Sequence, residues 1–218
     1  MGEENRSSLV PRRARIILPG VVYHLISRFV ASEWFINTEY ERRTYLQLLG
    51  RGLESADWRC FAFAIMSNHI HLALVAGRAP LASWLGEVHG TFAEWINERR
   101  ERIGAVFVRG PRSIAIRHDR VDRLVAYIHG NPVRAGVVPH AMDSSWTSHR
   151  AYLQRELAPS WLDVDLGLEL TRFADGAELD AWVERSSISR TQMDEARLVP
   201  VNRGGRPPGR TGTGLAAR

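Results

Sequence analysis

The sequence predicts an α+β domain in which a four-stranded antiparallel sheet carries helices on one face, the ferredoxin-like arrangement. Three observations support this fold class. Runs rich in β-branched and aromatic residues alternate with amphipathic stretches in the order β, α, β, β, α, β, α. Two of the strand-like runs are separated by only a tight turn. A chain of 218 residues with 44% hydrophobic content is also long and apolar enough for one sizeable core.

The first part of the chain supplies a strand and a helix. Residues 21–28 follow the breaker Pro19-Gly20 and predict the first strand, in which we interpret His24 as a structural residue. Thr38 and Glu41 have the spacing of a capping box, and the apolar stripe after them predicts a helix over 39–55.

A hairpin and a long helix come next. Residues 58–66 and 69–75 predict two antiparallel strands joined at Ser67-Asn68. From Pro80 onward, apolar residues recur every three or four positions, which predicts a helix to about Ile103, closed by Gly104.

The centre of the chain predicts the last strand and another helix. Residues 106–108 and 114–116 have the pattern of two strand segments around the loop 109–112. Asp119 then stands where an N-cap is expected for a helix whose inner stripe begins at Val121.

Composition divides the chain into four segments. Residues 1–15 predict a flexible basic arm and residues 16–153 the main domain. Residues 154–198 are acidic and predict a small helical appendage, while residues 199–218 predict a disordered tail rich in glycine, proline and arginine.

Positive charge is concentrated in the middle of the chain. All 29 basic residues are arginine, the net charge is +5, and the segment 99–134 contains nine arginines against three acids. Guanidinium groups bind phosphate in a bidentate manner, so a nucleic acid is the expected partner. Surplus arginine on a solvated surface is the alternative. With a single cysteine, no export signal and no long apolar run, we expect a cytoplasmic protein without a membrane partner.

Two histidines flank one apolar residue in the strand predicted over 69–75. Residues two apart in a strand point to the same face, so His69 and His71 would face one way and Ile70 the other. Two neutral imidazoles on one face could form a binding site for a divalent metal with two protein ligands. A pair of half-buried strand histidines without a metal is the alternative.

A tyrosine and an asparagine lie one turn apart on the helix that follows Asp119. Tyr127 is a suitable covalent nucleophile toward a phosphodiester, because its phenolate is also a fair leaving group. The alternative is an aromatic residue at the edge of the core. Asn131 precedes Pro132, so it could equally end one helical segment.

Four separated motifs carry a resemblance to a known family. They are GVVYHLISR at 20–28, MSNHIH at 66–71, YIHGNPVRAG at 127–136 and WTSHRAY at 146–152. Together, in this order over residues 11–153, they resemble the single-tyrosine HUH transposases, and within them the REP-associated tyrosine transposases of insertion-sequence type.

The resemblance implies an enzyme that cleaves and rejoins single-stranded, hairpin-containing or palindromic DNA. His69 and His71 would hold Mg²⁺ or Mn²⁺, with Asn131 as a third ligand and His129 as a less favoured substitute. Tyr127 would form a 5′-phosphotyrosine and free a 3′-hydroxyl. The resemblance also implies a nucleoid-associated protein and is compatible with a homodimer. The arginines expected to contact DNA are Arg13, Arg15, Arg28, Arg109, Arg112, Arg117 and Arg134.

The chain departs from the family pattern at three places. Phe29-Val30 stand where the pattern has Gly-Asn, the loop 109–112 lacks a Gly-Arg-Tyr run, and Gly130 replaces a bulkier residue. A catalytically inactive or domesticated nucleic-acid-binding protein on the same fold is therefore the main alternative. A metal hydrolase would need a water-activating carboxylate, and a replication initiator usually has a longer chain.

Overall fold

A single four-stranded antiparallel sheet organises the protein. The computed structural model describes residues 17–186 together with Met193, Ala196 and Arg197. The sheet has the order β2-β3-β1-β4, and all its neighbouring strands are antiparallel. This is the ferredoxin-like order that the element sequence predicts. The strands are β1 Val22–Arg28, β2 Arg59–Ile65, β3 His69–Val75 and β4 Arg112–Ala115.

Seven α-helices accompany the sheet in the part of the chain that the structure describes. Two lie between strands, and five follow the last strand. They are α1 Glu39–Glu54, α2 Leu81–Arg99, α3 Val121–His129, α4 Asn131–Arg134, α5 His149–Tyr152, α6 Val164–Thr171 and α7 Gly176–Arg185.

Helices α1 and α2 cover one face of the sheet. The predicted capping box is present at the start of α1, where the Thr38 hydroxyl accepts from the Glu41 N–H and the Glu41 carboxylate accepts from the Thr38 N–H. Apolar side chains of both helices pack on the odd-numbered residues of β1 and the even-numbered residues of β3. The apolar residues that recur every three or four positions along α1 and α2 therefore face the sheet, as predicted, and form the larger core.

The opposite face of the sheet is also covered, which corrects the prediction of helices on one face only. Helices α3, α6 and α7 form a second apolar cluster there. Ala62, Ala64 and Ala73 are fully buried on this face, and their small side chains let α3 approach closely. The acidic helices of residues 154–198 thus contribute to the packing around α3, and the four-segment division of the chain stays a prediction.

Two local predictions in the centre of the chain are wrong. Residues 106–108 form no strand, because only Phe107 makes an isolated bridge, to Phe29, while Val106 is buried in the core. Asp119 does not cap α3 either. Its carboxylate accepts from Arg117 instead, and Arg120 precedes α3 without a side-chain cap.

Later parts of the chain cover the outer edge of β2. Ala64 pairs with Thr147 and Cys60 pairs with Leu162, and the Asp163 N–H donates to the Cys60 carbonyl at 2.8 Å. An edge that is already paired offers few groups to a second copy. The homodimer accordingly stays a prediction.

No helix among the described residues is both long enough and apolar enough to span a membrane. The predicted basic arm at 1–15 and the predicted tail at 199–218 lie outside the described residues.

Candidate active site

A cavity of about 70 Å³ opens on the α3 side of the sheet. Because side chains alternate along a strand, β1 and β3 each present every second residue to this cavity. Strand β4 lines a third side, and Tyr127 of α3 faces the strands. The lining includes His24, Arg28, His69, His71, Arg112, Ile114, Tyr127 and Arg197.

The two histidines of β3 face the cavity together, as their spacing predicts. The ring centroids of His69 and His71 are 4.7 Å apart, and the ring planes are nearly perpendicular. Ile70 points to the other face and is fully buried. Each histidine has Nδ1 in a hydrogen bond, His69 to Asn68 Oδ1 and His71 to His24 Nε2 at 2.8 Å.

The three histidines of the cavity are neutral at pH 7. Burial, followed by the positive charge of Arg197, lowers the pKa of His24 to about 3. Burial and then the nearby Arg28 lower the pKa of His69 to about 4, although a hydrogen bond with Asn131 acts in the opposite direction. Burial, followed by the proximity of His24, places the pKa of His71 well below its usual range. Neutral imidazoles keep a lone pair for a metal.

Tyr127 is half-buried and lies over the histidines. Its ring centroid is 5.6 Å from that of His71 and 5.8 Å from that of His24, in edge-to-face orientations. The guanidinium carbon of Arg134 lies 4.2 Å from the Tyr127 ring centroid, and Nη2 of Arg134 donates to the Tyr127 carbonyl. The short step from α3 to α4 therefore brings a phenol and a cation into contact.

Gly130 joins α3 to α4 and makes this contact possible. A Cβ atom at position 130 would lie 3.0 Å from Nη1 of Arg134 and 3.0 Å from the Ala126 carbonyl oxygen. The glycine that departs from the family pattern thus leaves space for Arg134 to fold back over Tyr127.

Asn131 is 7% exposed and is the first residue of α4. Its amide lies close enough to His69 to raise the pKa of that histidine, which places Asn131 beside the pair. In the described part of the chain, no cluster of three or more His, Cys, Asp or Glu side chains is arranged to hold a metal. Two imidazoles and one amide oxygen nevertheless form a donor set that suits a divalent cation, with phosphate and water completing its shell.

His129 faces away from this site. It is fully buried, and its Nε2 lies 2.8 Å from the Ser148 hydroxyl. Its Nδ1 lies 3.0 Å from Nδ1 of His149, whose Nε2 contacts Asp180 at 2.9 Å. His129 is therefore wrong as a substitute metal ligand, since both of its nitrogens are engaged on the side of α7.

The predicted DNA-contacting arginines fall into separate places. Arg28 and Arg112 line the cavity, and Arg134 covers Tyr127. Arg109 lines a different groove, of about 750 Å³, which also borders α2. Arg117 pairs with Asp119 at 2.8 Å and is not among the cavity residues. Arg13 and Arg15 lie outside the described residues.

Two cavity residues were missed by the sequence analysis. His24 shares a strand face with Arg28, so strand alternation could have indicated it, but a buried strand histidine without a ligand role has the same pattern. Arg197 reaches the cavity because it pairs with Ile116 at the end of β4, and nothing local to its sequence indicates this.

A solved structure shares this architecture. It is a REP-associated tyrosine transposase bound to a REP hairpin, at 18% identity, with 70% of this chain and 92% of that chain covered and a TM-score of 0.55. A Deinococcus radiodurans R1 protein, described provisionally as a transposase, matches at 14% identity over 55% of this chain and 96% of that chain, with a TM-score of 0.39. No family model and no curated protein matches the sequence.

At 18% identity the first likeness concerns the fold. The chain therefore has the fold of the REP-associated tyrosine transposases, the family that its motifs resemble.

Proposed function

We propose that this chain is a transposase that cleaves and rejoins single-stranded DNA through a 5′-phosphotyrosine at Tyr127. One observation carries the proposal. A phenol, three neutral imidazoles and three arginines line one cavity, and Arg134 lies on the face of the phenol, on a fold shared with a hairpin-bound tyrosine transposase. Sequence motifs that lie more than fifty residues apart thereby converge on one place.

The reaction needs no external energy source. The Tyr127 phenol oxygen forms a bond to phosphorus, the bond from phosphorus to the 3′ oxygen breaks, and that oxygen takes up a proton. The phenolic ester conserves the phosphoester linkage, so a 3′-hydroxyl can later attack it and release Tyr127. Strand transfer follows when the attacking hydroxyl belongs to another DNA end.

His69, His71 and Asn131 would hold Mg²⁺ or Mn²⁺ beside the scissile phosphate. When bound, such a cation withdraws charge from the phosphate oxygens and orients the phosphate. Arginine side chains of this chain supply the other contributions, which are charge stabilisation and phosphate binding. Arg134 stabilises negative charge on the Tyr127 oxygen, while Arg28 and Arg112 bind phosphates of the strand that enters the cavity.

The proposed substrate is a hairpin-containing or palindromic single strand. The solved relative is bound to a REP hairpin, and the arginine-rich segment 99–134 supplies the charge that a phosphate backbone requires. A protein that acts on genomic DNA would be cytoplasmic and nucleoid-associated.

The proposal is tested with a 3′-labelled hairpin oligonucleotide incubated with Mg²⁺ or Mn²⁺, because the fragment that carries the 3′ end is the one that would stay attached to Tyr127. We expect a covalent protein–DNA adduct that withstands denaturation, that EDTA prevents and that Tyr127→Phe abolishes with little loss of DNA binding. Tyr40→Phe is the matched control, because Tyr40 is an exposed tyrosine on α1, away from the cavity. It should form the adduct at the wild-type level.

Two outcomes would contradict the proposal. An adduct that persists in Tyr127→Phe would assign the nucleophile elsewhere. Salt-sensitive DNA binding without an adduct under any divalent metal would favour the alternative, a nucleic-acid-binding protein that has lost the chemistry.

A further inference from the structure

His24 occupies a place beside the candidate metal ligands that the proposed chemistry does not use. It is 3% exposed, and Ala73 stands opposite it in the pairing of β1 with β3. Because Ala73 has only a methyl group, the His24 ring leans toward the diagonal neighbour, His71. The distance from His24 Nε2 to His71 Nδ1 is 2.8 Å, and the ring centroids are 4.9 Å apart.

A hydrogen bond between two neutral imidazoles can be arranged in two ways. If His24 Nε2–H donates, His71 carries its own proton on Nε2 and has no lone pair there. If His71 Nδ1–H donates, His71 Nε2 keeps its lone pair and His24 carries its proton on Nδ1. Only the second arrangement leaves His71 Nε2 able to bind a cation.

His69 also has a hydrogen bond at Nδ1, and there the partner atom can only accept. Its Nδ1 is hydrogen-bonded to Oδ1 of Asn68, and an amide oxygen only accepts. His69 therefore carries its proton on Nδ1 and presents Nε2. Both histidines of the pair are thus hydrogen-bonded at Nδ1, His69 to its neighbour in sequence, Asn68, and His71 to His24 of β1.

We propose that His24 is a positioning residue that accepts the Nδ1 proton of His71 and so keeps His71 Nε2 available as a metal ligand. The inference rests on the proposed function, because it concerns the same cation site. A partner of this kind fixes both the tautomer and the ring orientation of a ligating histidine, and its removal typically weakens metal affinity 10- to 100-fold.

The test measures Mn²⁺ affinity without DNA, by calorimetry or electron paramagnetic resonance, in His24→Phe and His24→Gln. Phenylalanine fills the space of the imidazole but accepts no hydrogen bond. Glutamine has an amide oxygen three bonds from Cβ, as Nε2 is in histidine, and can accept from His71. We expect roughly 10- to 100-fold weaker binding for His24→Phe and recovery of most of that loss in His24→Gln.

His89→Phe is the control for the loss of an imidazole elsewhere in the fold; His89 is half-buried. His89 stacks on Phe107 with 4.0 Å between ring centroids and is not a residue of the cavity. We expect Mn²⁺ binding at the wild-type level. Thermal unfolding of each variant separates a change in metal affinity from a loss of folding.

A second readout reports the tautomer itself. In the ¹⁵N spectrum of the Mg²⁺-bound wild type, we expect a protonated Nδ1 and an unprotonated Nε2 at His71. A protonated Nε2 would overturn the inference, as would equal Mn²⁺ affinity in wild type and His24→Phe, or binding by His24→Gln as weak as that of His24→Phe.

These results are distinguishable from a failure of the proposed function. If no Tyr127 adduct forms, the assignment of the nucleophile is wrong, but the Mn²⁺ affinities of wild type and the His24 variants can still be compared. A wild-type protein that binds no Mn²⁺ would overturn the cation site and this inference together.

Discussion

Arg134 lies on the face of Tyr127, and its replacement by glutamine tests whether this contact serves the chemistry. The guanidinium carbon is 4.2 Å from the ring centroid, and Nη2 donates to the tyrosine carbonyl. The cation attracts the negative charge that the Tyr127 oxygen carries while it reacts. Arg134→Gln keeps a hydrogen-bond donor and removes the charge.

The size of the effect follows from the separation of the two charges. A guanidinium and a phenolate oxygen roughly 5 Å apart attract each other by about 3 kcal/mol at an effective dielectric constant of about 20. Arg134 is exposed at the surface, so screening lowers this figure to about 2 kcal/mol. A loss of about 2 kcal/mol of transition-state stabilisation corresponds to a rate about 30-fold lower.

The assay is the single-turnover rate of adduct formation with a hairpin oligonucleotide at saturating protein. Arg117→Gln is the control, because Arg117 pairs with Asp119 and does not line the cavity. We expect a slow Arg134→Gln variant and an Arg117→Gln variant close to wild type. An Arg134→Gln variant that forms the adduct at the wild-type rate would refute the role assigned to this arginine.

Two further substitutions test the structure that holds Tyr127. Asp180→Ala leaves the buried Nε2–H of His149 without its acceptor. We expect the free energy of unfolding to fall by about 2 kcal/mol, which lowers the Tm measured by calorimetry by roughly 4–8 °C. An unchanged Tm would contradict the hydrogen-bond chain. Gly130→Ala places a Cβ 3.0 Å from Nη1 of Arg134. Adduct formation should slow, though by less than in Arg134→Gln, and a wild-type rate would show that the guanidinium has room to move.

Local patterns in the sequence predicted most of the sheet and its first two helices. The alternation and turn signals around Ser67-Asn68 led to β3 with its observed bounds, and the Thr38–Glu41 capping box is present at the start of α1. These signals are local because hydrogen bonds and side-chain directions within one strand or one helical turn depend on residues at most four positions apart.

The features that the sequence did not predict depend on distant partners. Asp119 looked like a helix cap, but the competing ion pair with Arg117 engages it. His24 had the pattern of an ordinary strand histidine because its partner, His71, stands 47 residues away in sequence. The helices on the second face of the sheet were not predicted for the same reason, because three buried alanines in the strands do not indicate which helix packs against them.

Mass spectrometry of the trapped adduct tests the central claim most directly. Trypsin cleaves after Arg123 and Arg134, which releases residues 124–134 with Tyr127 as the one tyrosine. After nuclease digestion of a hairpin adduct formed with Mn²⁺, we predict a nucleotide remnant on this peptide, attached to Tyr127 through a 5′ phosphate. A remnant on any other residue, or no remnant despite tight DNA binding, would contradict the account.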